Sequence, residues 1–160
     1  MIEILFYPAF LIFLLILSLI FIPKQDYKEY LIYGFLGGGM GDMVVVGIFQ
    51  NLLHIIRFKN TGIFNVLGEH FLSPPCWTFT VMLFLYFLPK QKLFQYLYIL
   101  TFAGYSVGFG IVVHNVGLFE YRPWFYPVCS YLTFLGWWVF NTWLFVKTSP
   151  LAGSVRDRCR

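Results

Sequence analysis

From Leu31 to Ile56 the chain reads LIYGFLGGGMGDMVVVGIFQNLLHII, an apolar run with a single charged side chain, Asp42. At 1.5 Å per residue this run exceeds the roughly 20 residues that a hydrocarbon layer about 30 Å thick requires. It lacks the alternation of apolar and polar residues found in barrel strands, and an unpaired backbone amide in lipid costs several kcal/mol, so the run predicts a transmembrane helix. Four more stretches have the same character, Ile4 to Ile22, Phe71 to Leu88, Phe94 to Leu118 and Phe125 to Val146. The predicted fold class is all-α, a polytopic membrane helix bundle. Five transmembrane helices fill residues 1–148, and a short basic cytoplasmic tail follows at 149–160.

Composition agrees with this reading. The 160 residues are 59% hydrophobic, 22% aromatic and 11% charged, against about 25% charged in an average soluble domain. Eighteen charged side chains cannot cover a water-soluble core of this size. The formal net charge of +4 does not point to nucleic acid, because the basic residues sit beside apolar spans and form no patch or stripe. The lipid bilayer is the expected partner. The first span is not read as a signal peptide: Glu3 is acidic, no basic residue precedes the run, and its exit Phe-Ile-Pro-Lys lacks small residues for cleavage. Pro23, Pro74, Pro75, Pro89, Pro123 and Pro127 fall at or near predicted helix ends.

Cytoplasmic loops carry the excess of Lys and Arg. Lys24, Lys28, Lys90, Lys92, Lys147, Arg156, Arg158 and Arg160 fall on one side and Arg57, Lys59 and Arg122 on the other, so the N-terminus is expected outside and the C-terminus in the cytoplasm. Trp77, Trp124 and Tyr126 are expected at the outer interface, and Tyr27, Tyr30, Tyr96 and Trp143 at the inner one, as aromatic belts. In the loop Arg57 to Leu72, Ile63, Phe64, Val66, Leu67 and Phe71 predict a short amphipathic helix on the outer surface, with a re-entrant segment as the alternative.

The second span carries two interlocked pairs of small residues, Gly34 with Gly38 and Gly37 with Gly41, a surface on which another helix can approach closely. Gly104 and Gly108 repeat the spacing in the fourth span, so the second and fourth helices are expected to pack together. Asp42 lies about 18 Å along the helix from Tyr30, near the bilayer centre. A carboxylate at that depth costs about 2.5 kcal/mol or more on insertion scales and should face the bundle. Tyr105 and Ser106 are its expected partners. One reading is a proton or cation relay, and the other is a neutral carboxylic acid hydrogen-bonded to a neighbouring helix.

On this topology His54, His70 and His114 share the outer face with Glu69 and Glu120. Two neutral imidazoles there, His54 and His114, can ligate a divalent metal or bracket a haem, with Glu69, His70 or Glu120 completing the shell. Capping of helix ends is the competing explanation. No HExxH or CxxC motif is present. Cys76 and Cys129 near the outer ends of the third and fifth helices would form a disulfide if those ends adjoin, or remain buried thiols.

The order of several short motifs resembles one family. These are Met40-Gly41-Asp42, Phe71-Leu72-Ser73-Pro74, the run Leu83 to Pro89, Gly117 to Tyr121 with Trp124, and the closing Ser149-Pro150-Leu151-Ala152. Together they resemble an uncharacterised family of small multi-spanning integral membrane proteins of spore-forming bacteria. The resemblance covers most of the chain and implies a bacterial cytoplasmic membrane address, with Asp42 and Trp124 as the positions of first interest. It carries no activity, substrate or cofactor with it. The expected function is a non-enzymatic structural or partner-binding membrane component, self-associating or meeting another membrane protein through its small-residue faces. The alternatives are a haem- or metal-binding redox protein using the outer histidines, and a small proton- or cation-coupled transporter or channel using Asp42.

Overall fold

A computed structural model describes residues 2–59, 65–66 and 69–152, with side chains described over 5–59 and 70–152. The chain is mostly helical. Helix α1 is Ile2–Phe21, α2 is Lys24–Tyr33, α3 is Gly41–Gly47, α4 is Ser73–Tyr86, α5 is Lys92–Asn115 and α6 is Val128–Thr148. Two π-helical turns, Gly34–Met40 and Ile48–Leu52, join α2 and α3 and extend α3, so that Lys24–Leu52 runs on as one helix. Strand β1, Ile56–Phe58, pairs antiparallel with β4, Phe119–Tyr121, in the register Ile56 to Tyr121 and Phe58 to Phe119. Strands β2, Asn65–Val66, and β3, Glu69–His70, form a second antiparallel pair.

Among the described residues two helices are long and apolar enough to cross a membrane, Lys24–Leu52 and Lys92–Asn115, and Leu5–Phe21 is a shorter apolar helix. Only 33% and 28% of the apolar windows of the two longer helices is buried, so the rest of the chain does not enclose them. Large apolar side chains face outward elsewhere too, as at Ile12, Leu19, Ile20, Leu132 and Phe140. The predicted third span is held by a helix of 14 residues, about 21 Å long. Pro74 and Pro75 occupy its first turn, where their missing amides cost no helical hydrogen bond.

That short helix is the centre of the packing. Val81, Met82 and Phe84 of α4 are fully buried in a cluster with Ile22, Tyr30, Ile99, Ala103, Trp138 and Phe145. Phe84 meets Trp138 at 4.3 Å and Tyr98 at 5.1 Å between ring centroids, which ties α4 to α6 and α5. At the other end the Ser149 hydroxyl donates to the Glu29 carboxylate and fastens the exit of α6 to α2.

The glycine face meets α4 and α6, not α5 as the spacing predicts. A Cβ on Gly38 would lie 2.3 Å from the Trp77 carbonyl oxygen, one on Gly34 would lie 2.6 Å from that of Thr78, and one on Gly37 would lie 1.6 Å from Asn141 Oδ1. Gly41 stands against Trp137 in the same way. Around Gly104 and Gly108, by contrast, there is open space. Helix α5 packs on α6 through aromatic and polar groups instead. Phe102 stands edge-on to Trp138, and the Trp138 indole donates to Ser106 Oγ at 3.0 Å.

The loops expected outside also differ from expectation. Ile56, read as the end of the second span, and residues 57–58, read as the start of the loop, form β1, and 65–66 pairs with 69–70 where a short amphipathic helix is expected. His54 breaks the preceding helix with φ of 51°, the left-handed conformation that closes many helices. Asn60, Gly62, Asn65 and Gly68 make the following segment poor in helix formers. Ile63, Phe64 and Leu67 lie outside the described residues, as do Cys159 and the tail arginines Arg156, Arg158 and Arg160. Trp124 is exposed, but Trp77 packs inward on Phe109, Phe134, Trp137 and Trp138. Tyr126 is turned inward as well: it stacks on Tyr121 at 4.0 Å and donates its hydroxyl to the Val107 carbonyl.

Candidate functional site

The close seating of the glycine turn on α4 decides where Asp42 sits. One residue beyond Gly41, its carboxylate comes level with the first residue of α4, and Ser73 Oγ donates to Asp42 Oδ2 at 2.8 Å. Both side chains are buried. Ser73, at the start of α4, is thus a partner of Asp42 that the sequence does not single out. Tyr105 is exposed, and Ser106 donates to the Phe102 carbonyl while accepting from Trp138. The position suits a carboxylate, since helix N-termini carry partial positive charge. With prolines at 74 and 75 that end of α4 has fewer backbone donors, and the Ser73 hydroxyl supplies one.

Tyr7 of α1 completes the cluster, with its hydroxyl facing Ser73 and Asp42. His70 lies behind it: the imidazole is 1% exposed and stacks on the Tyr7 ring at 4.1 Å, 24° from parallel. The Leu72 amide donates to His70 Nδ1 at 3.3 Å, which puts the proton of a neutral ring on Nε2. Burial pushes the His70 imidazole below its ordinary value of 6.5, in keeping with a neutral ring.

Tyr7, Asp42 and Ser73 form one wall of a cavity whose empty space, counted together with its open mouth, is about 830 Å³. The β1–β4 sheet closes another side with Ile56, Phe58, Phe119 and Tyr121. The remaining walls are mostly aromatic, from Phe49, Phe109, Phe134 and both Trp77 and Trp137. Among the described residues Asp42 is the one carboxylate in the lining, and no lysine, arginine or histidine joins it. Thr133 spends its hydroxyl on the Cys129 carbonyl. Trp137 keeps a buried indole N–H that has no acceptor among the described residues.

The three histidines expected on one face, His54, His70 and His114, do not gather. His54 Nδ1 is 2.9 Å from the Gln50 carbonyl in its own helix, and its backbone carbonyl accepts from Arg122 Nε at 3.1 Å. His114 Nδ1 is 2.8 Å from the Phe119 carbonyl, and its ring rests on Tyr121. His70 is buried on Tyr7. Glu120 is ion-paired with Lys59, and the side chain of Glu69 lies outside the described residues. Among the described residues no three His, Cys, Asp or Glu side chains come together as a metal shell would need. Nor do Cys76 and Cys129 pair. Cys76 is a buried thiol in a cluster with Tyr7, Leu14 and Val113, while Cys129 is a free thiol packed against the cluster of Val46, Ile55, Ile56 and Phe125.

Among the described residues the arrangement brings together one buried carboxylate, a hydroxyl that orients it, and aromatic walls. Asp42 stands out in the sequence as the lone charge of a span. Tyr7 and Ser73 do not, since a tyrosine in an apolar run and a serine before prolines look like packing and boundary residues. No family model, curated protein or solved structure matches the chain.

Proposed function

We propose that the protein is a multi-pass integral membrane protein that acts by binding and not by covalent chemistry. Its five helical segments would span the bilayer with the N-terminus outside and the C-terminus in the cytoplasm. The observation that carries the binding role is the buried Asp42–Ser73 pair opening into an aromatic cavity. The membrane assignment is supported by two long apolar helices that stay largely uncovered and by outward-facing residues such as Ile12, Ile20 and Phe140, since many exposed large apolar side chains suit lipid better than water. The orientation follows the bias of eight basic residues against three, and a bacterial cytoplasmic membrane is the address that the family resemblance suggests. Small-residue faces are mostly consumed inside the fold, which leaves Gly104 and Gly108 on α5 as the open surface for self-association or a membrane-protein partner.

Cysteine accessibility tests this reading. In a chain with Cys76, Cys129 and Cys159 replaced by Ser, an impermeant maleimide is expected to label Lys59→Cys and Arg122→Cys in intact cells. Lys24→Cys and Gln91→Cys should react only after permeabilisation. Labelling of Gln91→Cys from outside overturns the topology.

A second reading is favoured by one feature, the π-helical turns that flank Asp42 on both sides. Such turns recur at functional sites and give a helix places to change pitch, as a small proton- or cation-coupled carrier would need. It predicts pH-dependent flux in liposomes that Asp42→Asn removes, and wild-type flux in that variant excludes it.

A further inference from the structure

Building on the binding role proposed above, we propose that the cavity between the β1–β4 sheet and the helices takes a small hydrophobic organic cation, a protonated amine or quaternary ammonium. Its charge would meet Asp42, and its apolar groups would lie among the aromatic rings.

Three features of the cavity select this class. The first is charge: among the described residues the lining has one carboxylate and no basic side chain, so its one charged partner suits a cation. The second is the walls. Rings of Trp and Phe present negative faces that attract a cation once water is stripped away, and Trp is the strongest of them. Trp77 and Trp137 both line the space, with ring centroids 6.0 Å apart, and Phe109 and Phe134 flank Trp77 at 6.3 Å and 5.7 Å. The third is the poverty of charged oxygen ligands. A hard inorganic cation is favoured by several carboxylate and carbonyl oxygens or a retained water shell. Among the described residues the lining holds one carboxylate, its other side-chain oxygens are neutral hydroxyls, and no three His, Cys, Asp or Glu side chains come together. A diffuse organic cation is held by one carboxylate and aromatic faces, and dehydrates far more readily than a metal ion.

The Ser73 hydroxyl has a definite part in this. It donates to Asp42 Oδ2 and fixes the carboxylate at the end of α4, so the group is oriented before a ligand arrives, which lowers the ordering cost of binding.

The test uses the full chain in lipid nanodiscs. The probe is benzyltrimethylammonium, and the control is its uncharged carbon isostere, neopentylbenzene. Binding is followed by equilibrium dialysis and by tryptophan fluorescence. The expected result is saturable one-to-one binding of the cation with a fluorescence change, a neutral isostere that fails to compete, and a loss of about tenfold or more in affinity for Asp42→Asn. Thr133→Leu, which narrows the cavity and leaves Asp42 in place, should weaken binding as well. The comparison of cation with isostere is made on the wild-type chain, so it holds even where Asp42→Asn misfolds. Competition by the neutral isostere equal to that of the cation overturns the proposal. So does the lack of saturable binding below about 10 mM by a protein that is embedded in the nanodisc. A chain that fails to enter nanodiscs at all, and purifies without detergent, overturns the membrane reading instead.

Discussion

Gly38 shows how a single missing atom sets the site. Its α-carbon faces the Trp77 carbonyl so closely that an added Cβ would lie 2.3 Å from that oxygen, and backbone on both sides cannot step away as a side chain could. Gly38→Ala is therefore expected to destabilise the protein by about 1–3 kcal/mol, the usual range for overpacking. It should also shift Asp42 relative to Ser73. Gly104→Ala, with open space around it, should be neutral, and thermal unfolding of the two variants in detergent checks the contrast. His70 gives a pH-dependent prediction. Its folded-state value lies below the ordinary 6.5 because of burial against Tyr7, so in the window below 6.5 the unfolded chain binds the proton more readily than the folded one. Stability is then complete above about 6.5 and falls as the pH drops through that window. Melting curves at several pH values should show wild type losing more stability on acidification than His70→Phe, and parallel profiles would contradict the assignment.

Among the elements, the β1–β4 sheet joins residues 61 positions apart, with Lys59 and Glu120 ion-paired at its edge. Both side chains are about half exposed, so the pair stabilises little. Lys59→Ala is expected to change unfolding free energy by less than about 1 kcal/mol, whereas Phe58→Ala, which opens the cavity wall beside Phe119, should weaken binding of benzyltrimethylammonium. The helices were legible in the sequence because long apolar runs bounded by Pro23, Pro74, Pro89 and Pro127 need no knowledge of partners. This sheet was not legible, since no local signal in Ile56-Arg57-Phe58 names Phe119-Glu120-Tyr121 as its mate. Helix pairing was misread for a related reason. Gly34 and Gly38 state that something approaches closely, and Gly104 and Gly108 look identical in spacing, yet spacing does not say which surface is already taken. The short α4, with its buried Val81 and Phe84, outcompeted α5 for the glycine face, and it carried Ser73 to Asp42. The residue of the site that reads as chemistry was thus visible in advance, and its two partners, Tyr7 and Ser73, depended on that packing.

At the scale of the molecule the apolar residues divide into two populations that a bilayer treats differently from water. Trp138 is fully buried between Phe84 and Phe102, with its indole bonded to Ser106. Trp138→Ala removes a large core side chain and a hydrogen bond, and is expected to cost about 3–5 kcal/mol in any solvent. Ile12, near the middle of α1, is 58% exposed, and there the two environments part. On a water-facing surface Ile12→Arg would alter stability by no more than about 0.5 kcal/mol. In the centre of a transmembrane helix the same change costs about 2.5–3.5 kcal/mol on insertion scales, because the guanidinium must be dragged from water or the helix displaced. Expression of the two variants, followed by carbonate washing of membranes and recovery of the integral fraction, separates these cases. Ile12→Arg should reduce the integral fraction severalfold, while Ile12→Leu leaves it unchanged. Recovery of Ile12→Arg at the wild-type level would mean that the exposed apolar face of α1 meets something other than lipid, and the five-span reading would lose its first helix.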